Sequence, residues 1–115
     1  SDAKATGLSL AAIRNASGSF VAPTLEGATA ALAAASVKDD LTYSALNTSG
    51  ADAYPITAGT YVLIYATPGA NGAALKGWLT YLLTDGQDLA RSVDFAPLPT
   101  SLRDRALAQV DRIPG

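Results

Sequence analysis

The longest apolar run of the sequence, 61-YVLIY-65, is the feature that most restricts the fold. Tyrosine, valine and isoleucine favour β-strands, and a run this short is a strand pattern, well below the length of a membrane span. The run is entered through 50-GADAYPITAGT-60, where Pro55 excludes helix at its own position and disfavours it at Tyr54. We therefore predict a strand at residues 61–65 and an extended, non-helical entry before it.

The composition restricts the class of protein. The 115 residues are 49% apolar and 16% charged, which fits one globular domain and not a disordered chain. The net charge is −2, and no Lys/Arg cluster forms the basic patch that nucleic-acid binding requires. Cys, His and Met are absent, which excludes disulfides, thiol catalysis, every Ser-His-Asp arrangement, and thiolate or imidazole metal sites.

Local patterns divide the chain into short strands and helices. Residues 1–7 resemble the end of a helix closed by Gly7. Strands are predicted at residues 8–14, 20–21 and 41–48, with a turn at 15-NASG-18. Helices are predicted from the N-cap Thr24 to about Lys38, from about Leu75 to Thr84, and over residues 87–92. A rigid, proline-containing connector at residues 95–99 then leads into a last helix from Pro99 to Arg112. This order predicts an α/β or α+β fold with few strands.

Two helices carry apolar faces that predict core positions. The first face combines Trp78 with four leucines, and the second lies on the last helix: Leu75, Leu79, Leu82 and Leu83, then Leu102, Ala106, Val110 and Ile113. Core packing is the favoured interpretation of Trp78. Tyr61 and Tyr65 share one strand face, which predicts rings at the margins of a half-buried strand. The charged residues of the last helix are interpreted as a solvated face.

Two short loops could offer backbone amides to an anion. These are 17-SGS-19 and the Ser49-Gly50 pair, but neither leads directly into a helix, so turn formation is the favoured interpretation. The carboxylates give no paired site either. Asp39 and Asp40 are adjacent, and Asp85 and Asp88 have surface spacing with Arg91 three residues further on. We expect no catalytic residue, no metal site and no cofactor.

Four segments taken in order resemble the C-terminal part of PstS-type phosphate-binding proteins, the solute receptors of bacterial phosphate ABC transporters. They are 12-AIRNASGSFVAPTLEGATAA-31, 52-DAYPITAGTYVLIY-65, 75-LKGWLTYLLTDGQDLA-90 and 95-FAPLPTSLRDRALAQVDRI-113. In that family an Asn/Gly turn and an F-V-x-P-T motif lead into an alanine-rich helix. A YPI segment then leads into an apolar strand, and a P-L-P connector opens the final helix.

The resemblance implies a partial type II periplasmic-binding-protein fold, in which two lobes close on phosphate. Residues 1–50 would belong to one lobe, residues 51–60 would cross between the lobes as a hinge, and residues 61–115 would help build the other lobe. The resemblance also implies an extracytoplasmic location, in the periplasm or at the cell surface as part of a lipoprotein, and a membrane permease as partner.

The family's phosphate ligands have no counterpart among these residues, so the resemblance implies that they lie outside this chain. Only Thr57 and Thr60 are candidates for lining the cleft between the lobes. The chain would then be a C-terminal segment of a receptor, and its uncovered apolar faces would favour self-association. The alternative is a PstS-derived structural or interaction module at the cell surface without phosphate binding. A small enzyme has little support without His, Cys or converging carboxylates.

Overall fold

Helices account for most of the regular structure, and strand pairing is minimal. The computed structural model describes residues 2–114. Its elements in chain order are α1 (Asp2–Thr6), β1 (Ile13–Arg14), β2 (Phe20–Val21), α2 (Leu25–Ala33), α3 (Gly72–Leu83), α4 (Gly86–Ser92) and α5 (Thr100–Val110), with a 3₁₀ turn at Gly69–Asn71 leading into α3. The fold therefore mixes helices with a very small sheet, which is compatible with part of an α/β receptor. Among residues 2–114, no helix has the length and apolar character needed to cross a membrane.

β1 and β2 form a two-stranded antiparallel hairpin. Ile13 pairs with Val21, and Arg14 pairs with Phe20. The Gly18 amide donates to the Asn15 carbonyl at 3.0 Å, and Gly18 has a φ of 87°, which glycine adopts without strain. The predicted turn and the extended residues 20–21 are confirmed. The strand predicted at residues 8–14 forms only at its last two residues, since β2 is too short to pair with the rest.

α2 begins where its capping residue predicts. The Thr24 hydroxyl accepts a hydrogen bond from the Gly27 amide at 3.0 Å, which satisfies one free donor of the first turn. The helix ends at Ala33, about five residues before the predicted end. The strand predicted at residues 41–48 is wrong, because Leu41 and Asn47 have φ values of 65° and 46°, which a strand does not accommodate.

The core consists mainly of small side chains. Ala31, Leu32, Ala45 and Ala53 are buried together, with Tyr43 and Leu98 packed against them. A second contact joins α3 to α5, where three apolar side chains are buried: Leu79, Leu102 and Val110. The predicted faces of both helices are thus confirmed in part. The core role predicted for Trp78 is wrong, because 50% of this residue is exposed, whereas the neighbouring Leu79 is buried.

The apolar run 61–65 is not a strand, which corrects the strongest expectation from the sequence. These five residues carry no helix, strand or turn, and within residues 2–114 their backbone groups make no hydrogen bond. A strand is defined by pairing, and no described segment of this chain lies beside the run to pair with it. All five residues are exposed, with Leu63 at 91% and Tyr65 at 86%, so the predicted half-buried strand margins are also wrong.

The molecule is more open than a domain of this length usually is. Its radius of gyration is 16.0 Å, whereas about 13 Å is typical for this number of residues. Its accessible surface is 7480 Å², compared with roughly 5,800 Å² for a folded monomer of the same mass. Much apolar surface therefore stays in contact with solvent.

Candidate functional site

Asn15 joins the hairpin turn to the start of residues 51–60, the crossover segment. Its side chain is 5% exposed. Nδ2 lies 3.1, 2.8 and 3.1 Å from the carbonyl oxygens of Gly50, Ala51 and Ala53. The Ser17 hydroxyl adds a bond of 2.7 Å to the Ser49 carbonyl. The turn and the crossover segment are therefore bound together by side-chain hydrogen bonds.

The same arrangement removes 17-SGS-19 from the candidate anion sites. Asn15 Oδ1 accepts from the amides of Ser17 and Ser19 at 3.1 and 3.0 Å, and the Gly18 amide donates to the Asn15 carbonyl. All three amides are already satisfied within the turn. This supports the interpretation of the loop as turn chemistry. At the second loop, the Gly50 carbonyl accepts from the Ala53 amide, which also forms a turn.

The first half of the crossover segment is held firmly against α2 and the loop that follows it. The Tyr54 amide donates to the Gly27 carbonyl at 3.0 Å, and the Asn47 amide donates to the Pro55 carbonyl at 2.8 Å. Ala53 has no exposed surface and belongs to the core. Residues 53–55 are therefore fixed to the residues before them by hydrogen bonds and by the burial of Ala53.

The two candidate cleft residues, Thr57 and Thr60, differ in their surroundings. Thr57 is buried, and its hydroxyl donates to the Tyr54 carbonyl at 2.8 Å. Thr60 is exposed, and its side chain makes no hydrogen bond to any residue in the range 2–114. The Thr57 hydroxyl proton is therefore used to close the turn after Tyr54, and only its oxygen lone pairs remain for another partner.

Tyr43 and Tyr61 contact each other at the end of the crossover segment. Their rings lie 5.4 Å apart and are tilted by 40°. The Tyr43 amide donates to the Tyr61 hydroxyl at 3.3 Å, and that hydroxyl lies 3.4 Å from the Tyr43 carbonyl. Burial raises the pKa of Tyr43, and the neighbouring Tyr61 raises it further. A Cβ at Gly59 would overlap the Tyr43 hydroxyl, so this glycine is needed for space and not for backbone freedom.

The carboxylates do not converge. Asp40 Oδ1 accepts from the Thr42 hydroxyl at 2.7 Å and from its amide at 2.9 Å, and these hydrogen bonds lower the pKa of Asp40. Arg91 pairs with Glu26 at 3.3 Å and so links α4 to α2. Within the described residues, no three acidic side chains come close enough together to hold a metal ion.

Arg105 connects α5 to the loop after α2, which corrects its interpretation as part of a solvated helix face. Nη1 donates to the Val37 carbonyl at 2.9 Å, and Nη2 donates to the Lys38 carbonyl at 2.6 Å. A shallow groove of about 370 Å³ lies beside it, lined by Asp39, Leu41, Arg105, Ala108, Gln109 and Arg112. Two of the five guanidinium N–H donors are bonded to these backbone carbonyls, and through them Arg105 ties α5 to the loop after α2.

Sequence patterns did not identify Asn15, Tyr43 or Arg105 as organising residues. The turn sequence predicts that the Asn15 side chain accepts hydrogen bonds from nearby amides of the same turn, such as that of Ser17. Asn15 also bonds residues 35 to 38 positions away, and Arg105 bonds residues 67 and 68 positions away. Contacts across such distances cannot be read from the neighbouring sequence.

Comparisons with known proteins give one relevant similarity. The chain is 37% identical over 95 residues to the phosphate-binding protein PstS of Methanocaldococcus jannaschii, and the match covers 70% of this chain. The chain spans about a quarter of that relative's length, since the match covers 24% of it. No protein-family model matches the sequence. The similarity supports a relationship to PstS, a binding protein by name, over most of the chain.

Proposed function

We propose that this chain is a C-terminal part of an extracytoplasmic solute-binding protein that captures inorganic phosphate for uptake by an ABC transporter. The observation that carries the proposal is the 37% identity to a PstS protein over 95 residues. The order of the sequence segments supports it: a hairpin turn, an alanine-rich helix, the YPIT segment and three helices. The accessible surface of the chain is also larger than that of a folded monomer of the same mass, which supports a role within a larger two-lobed fold.

In this proposal the phosphate ligands lie outside the chain. The amides of residues 17–19 are satisfied internally, and the Arg105 guanidinium is bonded to carbonyls. Thr57 keeps only acceptor capacity while its proton is donated to Tyr54, and phosphate needs donors. Thr60 is the better placed of the two proposed cleft residues, because its hydroxyl is exposed and unbonded among residues 2–114.

The proposed lobe boundary follows from the same contacts. Residues 1–50 are proposed to form one unit, and residues 51–57 are bonded to it through Ala53, Tyr54 and Pro55. The hinge of the 51–60 crossover is therefore proposed to lie after Thr57. Bending there would require the Tyr43–Tyr61 contact, the Arg91–Glu26 ion pair and the Arg105 hydrogen bonds to change, because all of them link residues 1–50 to residues 61–115. Residues 61–115 are proposed to belong to the other lobe.

The proposed partners follow from the receptor role. Phosphate would bind only together with the rest of the fold, and the receptor would deliver it to a membrane permease, as a periplasmic protein or as a cell-surface lipoprotein. Self-association through apolar faces that a complete receptor would cover also belongs to the proposal. The similarity is to a phosphate-binding protein, so the alternative of a structural module without phosphate binding is not favoured.

Fragment complementation tests the proposal. Inorganic phosphate is titrated calorimetrically into this chain, into M. jannaschii PstS lacking the matched segment, and into their mixture. We expect no binding to either part and binding to the mixture, because ligands and scaffold are then reunited. Micromolar binding by this chain alone would show that its ligands are not missing. A mixture that does not bind phosphate would count against the receptor role itself.

A further inference from the structure

The last three residues of the crossover segment, residues 58–60, are not fastened by hydrogen bonds of their own. Within residues 2–114 their backbone groups make no hydrogen bond, and the Thr60 side chain makes none either. Residues 51–55, in contrast, are bonded to the Asn15 side chain and to the residues before them. The position of residues 58–60 therefore depends on the side chains that pack against them.

Tyr43 packs against the backbone of Gly59. A Cβ at Gly59 would lie 2.7 Å from Cζ and 3.2 Å from Cε2 of the Tyr43 ring, and it would overlap the hydroxyl oxygen. The ring thus fills the space that the side chain of any other residue at position 59 would need. Tyr43 also packs against the buried core cluster, so its ring is supported on the side away from Gly59.

Tyr61 completes the contact two residues further along the chain. Its ring lies 5.4 Å from the Tyr43 ring. Its hydroxyl accepts from the Tyr43 amide at 3.3 Å and lies 3.4 Å from the Tyr43 carbonyl. Because Tyr61 follows Gly59 so closely, a change in the Gly59 dihedral angles would displace the Tyr61 ring and break these contacts.

We propose that Tyr43 and Tyr61 form a latch on the hinge: residues 58–60 change their dihedral angles only after the two rings separate. The inference rests on the proposed function, which gives these residues the role of a hinge, and it adds the side chains that control their motion. Because the latch contacts belong to the present arrangement of the chain, they stabilise that arrangement. Loss of the latch therefore shifts the population toward other hinge conformations.

The other links between the two proposed units lie away from the hinge. The Arg91–Glu26 ion pair joins α4 to α2, and Arg105 joins α5 to the loop after α2. Within residues 2–114, the hydrogen bonds and the ring contact that involve residues 58–61 all come from the tyrosine pair. The latch therefore has a local readout, the motion of the backbone at residues 58–60, which breaking the other links should not change.

NMR relaxation of this chain, without phosphate, tests the latch. In the native chain the amide order parameters of residues 58–60 should be near 0.85, about the value for rigid backbone, and in Tyr43→Leu they should fall below about 0.6. Leucine keeps an apolar side chain against the core but is too short to cover Gly59. Tyr65→Leu, at an exposed tyrosine outside the latch, and Arg105→Lys, at a different link, are the controls and should leave these values unchanged.

Tyr61→Phe is a second variant, which keeps both rings and removes only the hydroxyl. The Tyr43 amide should then exchange its hydrogen roughly two- to fivefold faster, a factor that corresponds to about 1 kcal/mol or less, the contribution of one hydrogen bond. Unchanged exchange in this variant would overturn the latch.

The order parameters can overturn the latch in three further ways. Residues 58–60 could remain rigid in Tyr43→Leu, they could already be mobile in the native chain, or Tyr65→Leu could mobilise them equally. None of these measurements involves phosphate. A failed latch and a failed receptor role are therefore distinguished by different experiments.

Discussion

Replacing Asn15 by alanine should destabilise the fold strongly. The side chain is buried and connects two segments that are otherwise far apart in the sequence. Asn15→Ala removes its donors to the Gly50, Ala51 and Ala53 carbonyls and its acceptor for the Ser17 and Ser19 amides. The alanine methyl group offers neither a donor nor an acceptor in their place.

The magnitude follows from the number of bonds that the amide can make. Nδ2 has two hydrogens and Oδ1 has two lone pairs, so the five short contacts correspond to at most about four full hydrogen bonds. Each contributes about 1 kcal/mol, and water can partly replace those that are not fully buried. We therefore expect a loss of about 3 kcal/mol, equivalent to a fall in Tm of roughly 12–18 °C.

Thermal and urea unfolding followed by circular dichroism would measure the loss. Asn71→Ala is the matched control, because Asn71 is exposed and its side chain makes no capping hydrogen bond; its effect should stay within about 0.5 kcal/mol. Amide hydrogen exchange gives a local readout, since the Ser17 and Ser19 amides should exchange faster in Asn15→Ala than in the control. A loss below about 1 kcal/mol for Asn15→Ala would refute the reasoning.

Three further predictions use other contacts. Gly59→Ala should lower the free energy of unfolding by about 1–3 kcal/mol, because the added Cβ would overlap the Tyr43 hydroxyl. Gly77→Ala, on the open side of α3, should raise it by about 0.5–1 kcal/mol, and urea unfolding measures both changes. Arg105→Lys should lower the free energy of unfolding by about 1–2 kcal/mol and speed amide hydrogen exchange at residues 37–41, because lysine cannot bond both carbonyls at once. Arg103→Lys, at an exposed ion pair, is the control and should change neither quantity much. Asp40→Ala should lower Tm at neutral pH, but the difference in Tm between the two proteins should vanish on acidification. The pKa of Asp40 in the folded protein lies below its ordinary 3.8. The Asp40 charge therefore stabilises the fold above pH 3.8, and this stabilisation is lost as the pH falls through the pKa of the folded protein. An unchanged difference at low pH would show that the Asp40 charge is irrelevant.

The parts of the fold that local chemistry determines were predictable from the sequence. Thr24 caps α2 through an amide three residues away, and Gly18 closes the hairpin with a φ of 87°, so both follow from residues within one turn. α3 and α5 follow from their apolar spacing, and the start of α5 follows from the proline-rich connector before it.

The parts that depend on distant partners were not predictable. The pattern of residues 61–65 expresses strand propensity, but a strand needs a neighbour, and none of the described residues supplies one. Trp78 lies on a helical apolar stripe, yet burial depends on what packs over it, and half of Trp78 is exposed while Leu79 is buried. In the candidate site, the cleft role of Thr57 and Thr60 stays a prediction, because it depends on a second lobe.

A chimeric receptor tests the central claim most directly. The segment of M. jannaschii PstS that matches this chain is replaced by the corresponding residues of this chain, and the dissociation constant for inorganic phosphate is measured by calorimetry on the folded product. If this chain is the equivalent part of a phosphate receptor, the chimera should bind phosphate within about tenfold of intact PstS, a difference of about 1.4 kcal/mol. A chimera that folds but does not bind phosphate, or that cannot fold with this segment in place, would contradict the claim.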